Sequence, residues 1–155
     1  MRKAVFSYFC GNSYRKDNTK MYEAIIERIK ERLTGRELSA VIIPHISPDG
    51  DAAGSCSALW QVLDKVGIQA QLMTCDYIPD YLKWLKRIPD AISFQNRPKE
   101  CKQWLHKADI LFMLDHNTVA REGDLEPFVK EFEGEVIMID HHPDPDDVTY
   151  RISDT

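Results

Sequence analysis

Cysteine is scarce in this chain. Cys10, Cys56, Cys75 and Cys101 are scattered, with no CxxC pair and no metal-finger spacing. That pattern excludes a disulfide scaffold and a thiolate zinc site, and it predicts reduced structural thiols. Long apolar runs are lacking too: none approaches the ~18 residues that a membrane span needs. The apolar stretch in MRKAVFSYFCGN is too brief for a signal peptide. A cytoplasmic protein is expected. Positive charge is in deficit, with 20 Lys and Arg against 25 Asp and Glu, a net charge of −5. The deficit argues against a broad basic surface for duplex nucleic acid. A small phosphate-bearing substrate remains compatible, because bound cations reverse the sign of a carboxylate-rich pocket. There is no internal repeat, no low-complexity tract and no interior linker. Ser55 and Ser57 lie in no serine-hydrolase elbow, which removes a nucleophilic serine.

What is present is a single domain's worth of chain, 155 residues, enough to bury roughly 68–70% of its unfolded surface without staples. A helix is predicted over 19–33, with Met21, Tyr22, Ile25, Ile26, Ile29 and Leu33 on one face and Gly35 as its stop. Ala40 to Pro44 is a short apolar run rich in β-branched residues, the pattern of a buried parallel strand. It opens into the turn-forming His45-Ile-Ser-Pro-Asp-Gly-Asp51. A second helix is predicted over 53–66, with Ala58, Leu59, Val62, Leu63 and Val66 as its apolar stripe and Gly67 as terminator. A strand over 68–73 follows. Between Pro79 and Pro89 a short helix is expected, then a strand over 91–94 and a helix over 99–107. Strand 109–114, a helix near 127–132 and strand 136–139 complete the order. Alternating helices and continuously apolar strands predict an α/β fold, a mostly parallel sheet with helices on both faces.

Three predicted strands end in ligand-type residues: His45, Asp49 and Asp51; Asp115, with His116 and Asn117; and Asp140, His141 and His142. In open α/β sheets the carboxyl ends of the strands form the binding crevice, so three separate segments point at one edge. Singly, each cluster has a plain explanation: turn chemistry for Asp-Gly-Asp, a surface pair for the histidines, a helix cap for Asp115. Together they point to metal. Carboxylates with imidazoles suit Mn²⁺, Fe²⁺, Co²⁺ or Zn²⁺, and the oxygen-rich balance favours Mn²⁺ or Mg²⁺. Converging carboxylates without cations would repel one another. Two ions about 3.5–4 Å apart relieve that and stabilise the attacking and leaving oxygens of an in-line phosphoryl displacement.

HISPDGDAAGS over residues 45–55 resembles the first motif of the DHH phosphoesterase family, with His45, Asp49 and Asp51 at the HxxxDxD spacing and Gly54-Ser55 at the helix start. Asp115 after its apolar strand resembles the second motif, and Asp140-His141-His142 the triplet that names the family. The likeness spans about residues 40–142. Its flavour is closest to the oligoribonuclease and 3′-phosphoadenosine-5′-phosphate phosphatase branch, and less like the RecJ exonucleases or the manganese pyrophosphatases. The resemblance implies that His45 and Asp49 hold one metal, Asp51 and His141 the other, and that Asp115 bridges them. It implies that His142 contacts the substrate phosphate and that Asp140 orients an imidazole or loop. Gly50 and Gly54 would let backbone approach the site, and the helix start near Ser55 would offer N–H groups to phosphate. The attacking group would be metal-bound hydroxide. The cofactors expected are two divalent ions, Mn²⁺ first, with Mg²⁺ and Co²⁺ as the alternatives.

The family carries a further aspartate ligand and a C-terminal substrate domain beyond the triplet. Against that pattern, residues 1–155 read as a catalytic domain incomplete at its C-terminus. Asp144, Asp146, Asp147 and Asp154 follow the triplet too soon to stand in for that ligand. The function expected is metal-dependent hydrolysis of phosphate esters in short oligonucleotides or nucleoside phosphates. The same site would also serve pyrophosphate or polyphosphate, and a non-catalytic metal or nucleotide sensor is the reading from another class. Away from the clusters, His106 and Lys83 to Arg87 read as solvated, His116 as a loop residue, and Trp60, Trp84 and Trp104 as core or partial core.

Overall fold

A computed structural model describes residues 16–33 and 37–153. Six strands form one parallel sheet: β1 (Ser39–Pro44), β2 (Gln69–Thr74), β3 (Ile92–Ser93), β4 (Ile110–Leu114), β5 (Glu135–Asp140) and β6 (Tyr150–Ser153), in the spatial order β3-β2-β1-β4-β5-β6. Among the described residues four α-helices accompany them: α1 (Lys16–Leu33), α2 (Gly50–Lys65), α3 (Pro98–Lys107) and α4 (Glu126–Lys130). The α/β architecture expected from the apolar strands is what forms.

Alternation along the strands divides the core in two. Ala40, Ile42, Leu72, Ile110, Phe112 and Ile137 face α2, through Ala53, Cys56, Trp60 and Leu63, with Ile29 of α1 against the same cluster. Val41, Ile43, Met73, Leu111, Met113 and Met138 face Cys101 and Leu105 of α3 and Val129 of α4. Both faces of the sheet are covered, which is why β1 and β4 read as unbroken apolar runs. Each fully buried Leu, Ile or Met contributes about 1.5–3 kcal/mol relative to exposure.

The face of α2 differs from the expectation. Its buried residues are Ala52, Ala53, Cys56, Ser57, Trp60 and Leu63. Ala58, Val62 and Val66 of the predicted stripe are exposed. Both sets have helical spacing. The burial of the bulky Trp60 ring and the close approach permitted by small Ala, Cys and Ser decide between them, leaving two valines in solvent. Gly67 ends the helix in the left-handed conformation, as predicted.

Four further differences are smaller in extent. Pro79 and Pro89 break the 77–88 segment into two 3-10 turns, Asp80–Leu82 and Ile88–Asp90. A 3-10 stretch, Val119–Leu125, precedes α4. The edge strand β6 was not anticipated, because its alternating Tyr-Arg-Ile-Ser carries no continuous apolar signal. Trp84 is exposed, while Trp60 is buried and Trp104 half-buried beneath Lys107. Of the α1 face predicted above, Ile26 and Ile29 are half-buried. The side chains of Met21, Tyr22, Ile25 and Leu33, with Gly35, lie outside the described residues. Among the described residues no helix is long and apolar enough to cross a membrane.

Candidate metal centre

The strand order sets the position of the site. β1 lies between β2 and β4, so the direction in which the sheet grows reverses there, and in open α/β sheets the binding position lies beyond the carboxyl ends of the strands at such a reversal. His45 follows β1, Asp115 follows β4, and β5 ends in Asp140 with His141 and His142 directly after it.

Asp115 is the hub. One carboxylate oxygen, Oδ2, lies 3.9 Å from Nε2 of His45, and the other, Oδ1, lies 3.9 Å from Nε2 of His141. Ligand atoms of His45, Asp49 and Asp115 converge within 4.8 Å of one another, and so do those of Asp115, His141 and His142. Asp115 is common to both sets. Its backbone has φ 61°, the left-handed region that non-glycine residues enter at a cost, although its N–H still joins the ladder to Ile139. The strain coincides with the one carboxylate that must face two loops at once. Burial holds the Asp115 carboxyl above the usual range, repulsion from Asp51 and Asp49 adds to this, and His141 and His45 pull the other way.

The histidines are oriented through their other ring nitrogens. Nδ1 of His45 lies 2.7 Å from the carbonyl oxygen of Ile46. A carbonyl only accepts, so Nδ1 carries a proton and Nε2 is the nitrogen that faces Asp115. Nδ1 of His142 lies 2.7 Å from Oδ1 of Asp140, whose other oxygen accepts the His142 backbone N–H at 2.9 Å. Asp140 thus grips His142 twice. Nη1 of Arg121 donates to Nε2 of His142 at 3.2 Å, so that nitrogen accepts and the ring is neutral. His141 stacks on His142 with centroids 4.7 Å apart and is more than half exposed.

Asp49 caps α2, which begins at Gly50 rather than at Ala53. Its Oδ1 accepts from the N–H groups of Asp51 and Ala52. The Ala52 bond is the chief reason its carboxyl lies below the usual range. Burial opposes the shift, and Asp51 N–H, His45 and Arg121 add to it. Asp51 occupies the exposed first turn of α2, outside both converging sets, yet its charge reaches Asp115. The Ser55 hydroxyl turns back onto the Ala52 carbonyl at 2.9 Å. Gly54 has open space around it and Gly50 meets only a Leu82 methyl at 4.0 Å, so no neighbouring side chain demands glycine at either position.

Four supporting groups take roles that the sequence did not indicate. Asp76, just past β2, accepts from the N–H and hydroxyl of Ser47, a residue with φ 54°, and so fixes the His45–Asp51 loop. Its position after a predicted strand end was the available signal. Asp146 accepts from Val119 N–H and donates its own N–H to the Asn117 carbonyl, tying the loops after β4 and β5 together. His116, expected in a loop, is fully buried with Glu122, at 2.9 Å. Arg121 stands alone in an acidic stretch and gave no pattern.

The comparisons with known proteins bear on the family and the fold. The model for the DHH family, N-terminal domain, matches residues 39–154. A crystal structure of an exopolyphosphatase-related protein from Bacteroides fragilis is similar at 31% identity with a TM-score of 0.81, covering 84% of this chain and 38% of that one. RecJ from Thermus thermophilus, solved with Mn²⁺, is similar at 16% identity with a TM-score of 0.45, covering 84% of this chain and 16% of its own. The chain thus spans well under half the length of either structure. No curated protein matches. On the family match and the strand-end geometry together, this chain belongs to the DHH family, with its N-terminal domain over residues 39–154.

Proposed function

We propose that the protein is a hydrolase of phosphate esters in short oligonucleotides or nucleoside phosphates, working with two divalent cations. One observation carries the reading: the two oxygens of Asp115 each face a different imidazole Nε2 at 3.9 Å. That distance is too long for a hydrogen bond, yet it lies within the span of two ligands each about 2.0–2.2 Å from a shared ion. The donor set fits cations in a second respect, since Asp115 meets like charge from Asp49 and Asp51. His45, Asp49 and Asp115 would hold one ion; Asp115, Asp51 and His141 would hold the other. Such a pair supplies charge neutralisation and an activated water near neutral pH. Mn²⁺ suits this oxygen and imidazole set best, with Mg²⁺ and Co²⁺ as alternatives. His142 would lie against the substrate phosphate rather than hold an ion, since Asp140 and the Arg121 guanidinium already occupy its two ring nitrogens. The buried free thiols Cys56, Cys75 and Cys101 suit a cytoplasmic setting.

A second reading keeps the site and changes the substrate to polyphosphate. The exopolyphosphatase-related neighbour at 31% identity favours it. Turnover of dinucleotides, phosphoadenosine phosphate, pyrophosphate and polyphosphate by chelator-washed protein, before and after Mn²⁺, separates the two. Hydrolysis of any of them at full rate without added metal would remove the two-cation reading altogether.

A further inference from the structure

We propose that Arg121 is a phosphate-binding residue of this site, an inference that rests on the phosphoester reading above. Its guanidinium would receive the non-bridging oxygens of the substrate phosphate beside His142. Arg121 comes from the segment between β4 and α4, and its Nη1 reaches Nε2 of His142, just beyond β5. Its charge also acts on Asp49 at the start of α2. It therefore stands where both converging ligand sets can be reached.

Its hydrogen bonding is incomplete in a telling way. A guanidinium has five N–H donors in a planar fork. Among the described residues only the His142 bond uses one, and Arg121 makes no ion pair even though carboxylates surround the site. A fork of unused donors next to a neutral imidazole matches the paired oxygens of a phosphate. Cations on the facing carboxylates would remove the competing negative charge and leave the incoming phosphate as the partner for Arg121.

The backbone is pre-set for that task. The Arg121 carbonyl accepts from Ile46 N–H at 2.7 Å, and its own N–H donates to Thr118 at 3.1 Å. Glu122, next in sequence, is buried against His116, and His116 adjoins Asp115. Gly123 has φ 59° and ψ −130°, and a Cβ there would fall 2.7 Å from Cys75 Sγ and 2.9 Å from the Ile46 side chain. Only glycine allows that packing, which clamps the turn carrying Arg121 against the loop carrying His45. A turn held this firmly loses little backbone freedom when Arg121 binds.

The test compares parent, Arg121→Gln and Arg121→Lys protein in three measurements. These are Mn²⁺-dependent hydrolysis of bis(p-nitrophenyl) phosphate, inhibition by inorganic phosphate, and Mn²⁺ affinity by calorimetry. Arg121→Gln should weaken phosphate inhibition and kcat/KM about 10- to 100-fold, the scale of one lost charge-assisted contact. Arg121→Lys should recover part of the loss, and Mn²⁺ affinity should hold or rise in both. Phosphate inhibition within about twofold of the parent in a folded Arg121→Gln protein would overturn the proposal, on the scale of such contacts. So would Mn²⁺ affinity falling in parallel with turnover, because that marks a role in building the metal site. Should Arg121→Gln not fold, Arg121→Lys carries the decision: undiminished phosphate inhibition refutes the fork. Should the parent hydrolyse no phosphate ester with metal, the functional reading fails by itself. Direct calorimetric binding of inorganic phosphate to Mn²⁺-loaded parent and variants then decides Arg121, and equal binding overturns it.

Discussion

Asp115 and His116 are neighbours in the chain, and each meets a side chain of opposite type, yet the two contacts differ in kind. His116 and Glu122 are both fully buried and 2.9 Å apart, with His116 Nδ1 3.0 Å from the Leu114 carbonyl oxygen. Asp115 keeps its histidines at 3.9 Å on each side, on strained backbone, with like charges nearby. The first pair is closed, and its bonds serve the fold. The second is open, and only a third body between its atoms relieves it. A carboxylate and an imidazole side by side therefore do not define a site. The separation, the access and the unrelieved repulsion do.

The comparison breaks most visibly at Asp115. Asp115→Asn keeps the shape and tolerates the left-handed backbone. It should still cost about 10³-fold or more in metal-dependent turnover, because one residue serves both ligand sets. Stability should move the other way. The folded-state pKa of Asp115 stands above its ordinary 3.8. The stability linked to it is therefore full below that ordinary value and lost as pH rises through the raised one. Metal-free Asp115→Asn should melt above the parent at neutral pH, with the gap closing in acid. Thermal melts of chelator-treated proteins across pH check this, and a lower melting temperature at neutral pH would mean that the carboxylate is not strained there.

Asp140→Asn comes next. It weakens the double grip on His142 without touching the first coordination set, and it should lower turnover about 10- to 100-fold. Mn²⁺ affinity should change much less, which calorimetry on the same samples measures. A smaller effect, and one on stability alone, is expected at the closed pair. Burial pushes the Glu122 carboxyl up, with His116 opposing, and its Oε2 has no hydrogen-bond partner among the described residues. Glu122→Ala leaves a buried imidazole nitrogen unpaired and should cost about 1–3 kcal/mol in chemical denaturation. Glu122→Gln, which keeps a hydrogen-bonding group beside His116, should cost less. The smallest effect belongs to the solvent face of α2. Val62→Lys should change stability by no more than about 0.5 kcal/mol, because Val62 is 40% exposed. A large loss there would restore the apolar stripe that periodicity alone suggested.

The main strands and the four α-helices were legible because continuous apolar runs and helical periodicity are local signals. The rest depended on non-local choices. Which face of α2 is buried was decided by how Trp60 and small residues fit the sheet. β6 is a short edge strand with mixed polarity, and it forms because β5 offers an unpaired edge. At the site, His45, Asp49, Asp115, His141 and His142 were readable as strand-end residues. Asp76, Arg121 and Glu122 were not, since their partners lie 29, 21 and 6 positions away.

The chain alone determined that apolar runs end in aspartate and histidine, and therefore that an α/β sheet would carry those groups at strand ends. The tertiary structure decided which of them meet. Strand order puts β1 beside β4 and β4 beside β5, and the left-handed turn at Asp115 presents one oxygen to each neighbour. It also put an arginine against His142 and sealed His116 away with Glu122. The physical reason is that side-chain chemistry travels with the sequence, while distance, burial and the sharing of a carboxylate exist only once the strands have paired.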